Sequence, residues 1–334
     1  MSRSRPIGLM GLGRVARNLF RLLHASEEFP VAAVADPYDP EALAYLLRFD
    51  TLLGRFPDRL DYVDGELRSA TGSIPLVTGE IAPWGELGVH TVIEAMDLHP
   101  SREQLERHLE AGAERVILCV PPRDAPDITV VMGVNDGLLE RGHRIVSNAS
   151  NTAHALAPML RILDAAFGVE RAFVDTVHAY TEAQRLADVP AEDPRRGRAA
   201  SENIIPQQTN AAQVAEEVLP ELAGRITALA LNVPVPQGSA MDLVCWHRQP
   251  VTVEAINQAV RVAIERDWRD LLEFEDAPIV SSDIRMNPRS GIFDSLATMT
   301  LGETVSKTLT WFDNGWGYAH RVIDLLRKFR ELDG

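Results

Sequence analysis

Ile7-Gly8-Leu9-Met10-Gly11-Leu12-Gly13-Arg14-Val15-Ala16 is the stretch on which the fold turns. Ile7 to Met10 is a short apolar run that reads as a strand, and Val15 to Leu23 follows with helical spacing. Between them stands G-x-G-x-x-A, at Gly11, Gly13 and Ala16. Gly11 permits the tight turn. Gly13 lets the backbone approach a pyrophosphate, which sits on the positive helix N-terminus with Arg14 and Val15 in its first turn. Ala16 is small enough for close packing of helix on strand. The motif alone is weak, but the next strand, Val31 to Ala35, ends on an acid, Asp36. A carboxylate there bonds both ribose hydroxyls and repels a 2′-phosphate, which favours NAD over NADP. The plainer reading is a Gly-rich turn that binds nothing.

Working outward, strands are expected at Thr91–Glu94, Arg115–Leu118 and Ile145–Ser147, and a helix at Ser101–Ala111. Ser101 with Gln104 resembles a capping box. This alternation means a parallel sheet with helices on both faces, an α/β Rossmann-type domain over residues 1–150. The second half reads as an α+β domain with an antiparallel sheet. It has helices at Thr152–Phe167, Ala211–Leu219 and Val253–Ile264, and strands at Ala172–Ala179, Ile226–Val233 and Ala240–Trp246. Residues 182–203 read as a long surface loop, a length usually kept for function or an interface. A last helix is expected from Gly317 to Leu332.

The 334 residues suffice for two domains with real cores. A net charge of −15 argues against nucleic acid as a partner, because phosphate neutralisation needs a basic face. Two cysteines, Cys119 and Cys245, are too few for a disulfide framework and suit a reducing cytoplasm. The N-terminal apolar stretch is broken by glycines and Arg14 and does not read as a signal peptide. No apolar run approaches the roughly 18 residues of a membrane helix. No residues are assigned to a metal.

Further motifs then fall in one order. These are Ala35-Asp36-Pro37-Tyr38, Asp124-Ala125-Pro126, Val131-Met132-Gly133-Val134-Asn135, Ser147-Asn148-Ala149-Ser150, Thr176-Val177-His178-Ala179, Asn203-Ile204-Ile205-Pro206, Ser281-Ser282-Asp283, and Trp311-Phe312-Asp313-Asn314 through Gly317-Tyr318. With the glycine motif, they make the chain resemble glyceraldehyde-3-phosphate dehydrogenase over nearly its whole length. The resemblance implies a domain at 151–313 for catalysis and oligomerisation, with the helix of 314–334 packing back on the NAD domain. It implies a homotetramer, NAD held by Gly8, Gly11, Gly13, Asp36 and Pro37, Asn314 on the nicotinamide carboxamide with Tyr318 nearby, and His178 as the catalytic histidine. The loop 181–203 would line the cofactor at a subunit interface.

The chain also departs from that family. After Ser-Asn-Ala-Ser the family places its nucleophilic cysteine, and here Asn151 stands. A thiolate attacks an aldehyde; an amide nitrogen is planar, neutral and a poor nucleophile. His154, one helical turn on, is either a packed helix histidine or a residue sharing Asn151's face. The arginine expected to hold a substrate phosphate is Asn232, and the glycine after Thr209 is Asn210. Ser150, Thr152, Thr181 and Thr209 survive, so one anion has hydroxyl partners left, with Arg198 of the loop as a further contributor. Ala95-Met96-Asp97 and Cys119-Val120-Pro121-Pro122 replace the family's residues near the cofactor. Asp97 adds bulk and negative charge there. Cys119 is either a small cysteine at a strand end or a relocated nucleophile near the nicotinamide.

Three functions follow as expectations. The first is a repurposed enzyme in which His178 serves as acid or base without a covalent intermediate, for redox, elimination or hydrolysis on a small or larger biosynthetic substrate. The second is a non-catalytic NAD-binding or scaffold protein. The third is residual aldehyde dehydrogenase activity.

Overall fold

A computed structural model describes residues 5–26, 28–96 and 99–334, and the chain divides into two compact units. The first holds the residues up to Val130, Leu138–Ala149 and Ala319–Gly334; the second holds Val131–Gly137 and Ser150–Tyr318.

The sheet of the first unit runs, edge to edge, through Ile128–Thr129, Ile145–Ser147, Arg115–Leu118, Thr91–Glu94, Ile7–Met10, Val31–Asp36, Gly72–Thr78, Glu66–Ser69 and Asp61–Val63. The strands from Ile128–Thr129 to Gly72–Thr78 pair in parallel, and the last two return antiparallel. The central strands are buried along their whole length, which explains why they read as short apolar runs without alternation, with polar residues only at their ends. The strand order reverses at Ile7–Met10, the place where sheets of this kind bind ligands. The turns on either side are fixed by main-chain bonds, Gly11 N to the Ala35 carbonyl at 2.7 Å and Ala95 N to the Met10 carbonyl at 2.9 Å. The helix Arg102–Glu110 carries the expected capping box, Ser101 Oγ accepting from Gln104 N and Gln104 Oε1 accepting from Ser101 N. The short strands between Phe49 and Thr78 lie in charged, glycine-punctuated sequence with little alternation, and sequence pattern does not reveal them.

The second unit builds a sheet in the order Ile205–Gln207, Ile226–Val233, Val169–Ala179, Ser239–His247, Val305–Phe312, Gly291–Leu301, Leu272–Glu275. It is antiparallel except for two pairs: Val169–Ala179 with Ile226–Val233, and Leu272–Glu275 with Gly291–Leu301, both parallel. The helix Asn151–Phe167 packs against both Ala211–Val218 and Val253–Ala263, and all three pack against the sheet's strands. Along Val169–Ala179, Ala172, Val174 and Thr176 are buried while Arg171, Phe173 and Asp175 are exposed, the period-2 signature of a sheet covered on one face. The strand Gly291–Leu301 escapes sequence reading because its pairing slips between Asp294 and Met299 and breaks the alternation. Residues 182–203 carry no helix or strand; a single bridge joins Arg185 to Ala199. Among the described residues no helix is long and apolar enough to cross a membrane.

Two features fix the first unit's stability. Gly112 has φ +102°, and a Cβ there would lie 2.6 Å from the Gly85 Cα, a backbone atom that cannot swing aside. We expect Gly112→Ala to cost about 2 kcal/mol or more, combining left-handed strain with overpacking, and thermal unfolding will read it. The second feature is the largely buried Asp333 side chain, which accepts from Arg115 at 3.2 and 3.4 Å, with Arg5 at 3.6 Å and Arg141 at 3.8 Å. The Arg115 guanidinium also lies over the Phe329 ring, 3.6 Å from its centroid. Burial pushes the Asp333 carboxyl up, but the Arg115 hydrogen bonds and the charges of Arg115, Arg5 and His90 together hold it below its ordinary value. A depressed carboxyl stabilises the fold above the unfolded value of about 3.9 and stops doing so as pH falls through the folded value. Asp333→Asn is therefore expected to lower stability by about 1–3 kcal/mol near pH 7, with the gap to wild type closing below about pH 4 in denaturant titrations.

Candidate functional site

In the first unit the glycine turn has the shape a dinucleotide requires. Gly11 has φ +86°, and a Cβ there would lie 2.6 Å from Met96 Cγ, so only glycine fits between the two turns. The helix Arg14–Ser26 begins at once, with no acid in its first turn to compete with an anion. Gly13, Arg14 and Val15 are half-buried at that start, and Ala16 is buried against the sheet. Asp36 is buried; its Oδ2 accepts from Leu12 N at 2.8 Å and its Oδ1 from Tyr38 N at 2.9 Å. Each oxygen keeps a lone pair for a ribose hydroxyl. Pro37 is exposed beside it.

Gly8 borders the core as well as the turn. A Cβ there would meet the Trp84 ring at 2.7 Å, so Gly8 makes room for Trp84 in the core. Cys119 is half-buried at the end of its strand, its N–H donating to the Glu94 carbonyl at 2.8 Å. Asp97 lies outside the described residues. Sequence reading misses a buried relay behind this turn. Trp84 Nε1 donates to His108 Nδ1 at 2.9 Å, which leaves Nε2–H to donate to Glu94 Oε2 at 3.0 Å, while Glu94 Oε1 accepts from Met96 N. The relay holds Met96, and so the wall facing Gly11, in place.

In the second unit the site gathers at the start of the helix Asn151–Phe167. Ala149, just before it, is a non-glycine residue at φ +50°, a conformation costing about 1–2 kcal/mol that persists only where the surroundings impose it. Ser150 Oγ caps the helix by accepting from Ala153 N at 3.1 Å. Asn151 Oδ1 accepts from Thr152 N at 2.7 Å and lies 3.3 Å from the Thr152 hydroxyl, and its Nδ2 donates to the Asn314 carbonyl at 3.0 Å. The amide is thus tied at both ends. The Asn314 side-chain Oδ1 is buried without a partner among the described residues, an acceptor suited to an amide N–H of a ligand.

Asn314 is held by its neighbour. The Asp313 carboxylate, 2% exposed, accepts from Gln237 Nε2 at 2.5 Å, Met286 N at 2.8 Å, Gly315 N at 2.9 Å and Trp316 N at 2.8 Å. Neither Asp313 nor Gln237 stands out in the sequence as a site residue.

His178 is half-buried on the strand Val169–Ala179, with the Phe312 ring edge-on at 6.2 Å. Its Nδ1 lies 2.6 Å from the Ala179 carbonyl, which requires the proton on Nδ1 and leaves the basic lone pair of the neutral ring on Nε2. Asn232 is its direct partner across the parallel pair. Asn232 Nδ2 donates to Gln207 Oε1 at 2.9 Å, Gln184 Nε2 to the same oxygen at 3.3 Å, and Thr181 N and Oγ1 to Gln184 Oε1 at 2.6 and 3.0 Å.

The remaining expected residues are placed otherwise. His154 is 1% exposed and meets the buried Tyr318 ring edge-on at 6.0 Å. The two are packing partners in the core. Thr152 is buried, and Thr209 Oγ1 accepts from Ala211 N at 3.2 Å, capping the helix Ala211–Val218. Asn210 occupies the cap position without a side-chain bond. Arg198 does not join the polar chain around Asn232: it pairs with Asp188 at 2.9 Å on the exposed loop.

A parallel nucleotide-binding sheet with a glycine turn, joined to a sheet-and-helix unit bearing a histidine, defines a two-domain, NAD-binding dehydrogenase-type protein. Comparison with known proteins narrows this. The profile of the glyceraldehyde 3-phosphate dehydrogenase NAD binding domain matches residues 5–100, and that of the C-terminal domain matches residues 150–314. The chain is 42% identical over 331 residues to glyceraldehyde-3-phosphate dehydrogenase of Mycobacterium avium, covering 96% of this chain and 97% of that one. It is 40% identical over 324 residues to the Geobacillus stearothermophilus protein of the same name, covering 96% of each. The chain belongs to the glyceraldehyde-3-phosphate dehydrogenase family.

A cysteine at position 151 would sit in the first turn of a 17-residue helix, where the dipole lowers a thiol's pKa. Cys245, by contrast, is fully buried and its thiol is pushed up by burial. In Asn151→Cys, iodoacetamide is expected to label residue 151 at least about tenfold faster than Cys245, followed by peptide mass spectrometry. Equal rates would mean that this helix start does not activate a thiol.

Proposed function

We propose that the chain binds NAD and works by acid–base rather than covalent catalysis, with His178 moving the proton. The observation that carries the reading is the pairing of a neutral amide, Asn151, locked between Thr152 and the Asn314 carbonyl, with a histidine whose tautomer is fixed by the Ala179 carbonyl. The first cannot attack an aldehyde; the second is a general base with its lone pair on Nε2. The relatives' names carry glyceraldehyde 3-phosphate, but the covalent route in this family needs a thiolate at position 151. Cys245 cannot supply one because burial keeps it protonated.

Gly11, Gly13 and Asp36 of the first unit fit the dinucleotide. The cradle opposite Met96 closes if a Cβ is added at Gly11, and the buried Asn314 Oδ1 lacks a donor. Asp36 supports NAD over NADP, since its carboxylate repels a 2′-phosphate. Bound NAD supplies the hydride acceptor. His178 Nε2 takes the hydroxyl proton of an alcohol, and the resulting imidazolium keeps its Nδ1–H on the Ala179 carbonyl. In the reverse direction the imidazolium returns that proton. The exposed face of the second unit's sheet, where Phe173 is 54% exposed and meets the Trp246 ring, supports the homotetramer expected from the family.

Calorimetric titration of NAD is expected to show binding that Asp36→Ala weakens by about tenfold, or about 1.4 kcal/mol. In a screen of alcohols and carbonyls, His178→Ala is expected to lose turnover by about 10²–10⁴. If the wild type binds NAD but His178→Ala behaves identically across the screen, the protein is a non-catalytic NAD-binding member of its family. Absence of NAD binding would remove the hydride-transfer reading altogether.

A further inference from the structure

The chain of amides beside His178 has only one consistent set of orientations. A backbone N–H can only donate, so the Gln184 atom 2.6 Å from Thr181 N is Oε1. Gln184 Nε2 then faces Gln207, whose near atom must accept and is Oε1. That oxygen also takes Asn232 Nδ2 at 2.9 Å. Two atoms are left pointing away from the chain: Gln207 Nε2, a donor, and Asn232 Oδ1, an acceptor. Neither has a partner among the described residues and neither is buried. Asn232 itself is almost wholly enclosed and stands directly across from His178.

This wall differs in kind from an anion site. The dianion of a phosphate monoester only accepts, so it gains Gln207 Nε2 but meets the lone pairs of Asn232 Oδ1. Of the loop arginines, Arg198 is paired with Asp188. A hydroxyl or a carboxamide satisfies both atoms, accepting from Gln207 and donating to Asn232. We infer that Gln207 and Asn232 form a specificity subsite for an uncharged substrate arm bearing a hydroxyl or carboxamide, and that the subsite discriminates against phosphate. The inference rests on His178 marking the active site, as proposed above, and it names the substrate class of that site.

The test uses the full chain loaded with NAD. Chemical shifts of the assigned Gln207 and Asn232 side-chain amides are followed while D-glyceraldehyde, glyceraldehyde 3-phosphate and inorganic phosphate are added separately to wild type, Gln207→Leu and Asn232→Arg. In wild type, D-glyceraldehyde is expected to shift both amides and to bind about tenfold tighter than the phosphorylated form, with inorganic phosphate shifting neither. Gln207→Leu should abolish the response of Asn232, and Asn232→Arg should reverse the preference. Tighter binding of either phosphate by wild type, or no shift with D-glyceraldehyde at the highest concentration used, overturns the inference. His178→Ala separates the two readings. Amide shifts that persist alongside turnover that does not depend on His178 would sink the acid–base proposal while leaving the subsite's preference standing.

Discussion

The buried carboxylate of Asp313 is the constraint from which the second unit's site hangs. Four donors from three separate segments converge on it: Gln237, Met286, and Gly315 with Trp316. A desolvated carboxylate is tolerated only when its lone pairs are filled, and here they are. The arrangement sets the turn at Asn314. The Asn314 carbonyl then receives Asn151 Nδ2 and so fixes the first residue of the helix Asn151–Phe167. Ala149 stays in its left-handed conformation immediately before that helix. A charge, a turn and a helix start are thus coupled, with Asn151 tied into the frame by its side-chain amide.

The first unit solves a different problem with the same economy of parts. Its turn must let a backbone come close to a ligand, and the strand-end geometry around Gly11 leaves no room for a side chain. What keeps Met96 opposite that glycine is a relay of neutral and acidic groups buried behind it, Trp84 to His108 to Glu94. Both units therefore place their working surfaces over buried polar networks, each anchored on a carboxylate, Glu94 in the first and Asp313 in the second. The amide chain from Thr181 to Asn232 follows the same logic, with its direction dictated by one backbone N–H.

The sequence by itself determined the nucleotide-binding half and the family. Short apolar runs, a glycine motif and an acid at a strand end are local signals, and local spacing dictates their backbone conformation. The capping box at Ser101 and the helices of the second unit were legible for the same reason. Also legible was the asparagine that opens the helix Asn151–Phe167, since it is a matter of identity at one position. Tertiary structure alone decided the rest. That Gly8 makes room for Trp84, far along the chain, is not visible in the glycine motif. His154 shares a helix with Asn151, yet Tyr318 encloses it, and Arg198 is drawn to Asp188 instead of the polar chain. The strand Gly291–Leu301 hides behind a slipped register. Gln184, Gln207, Gln237 and Asp313 carry no spacing signature. Their roles come from hydrogen bonds between segments distant in sequence, and such partnerships exist only once the sheet has brought those segments together.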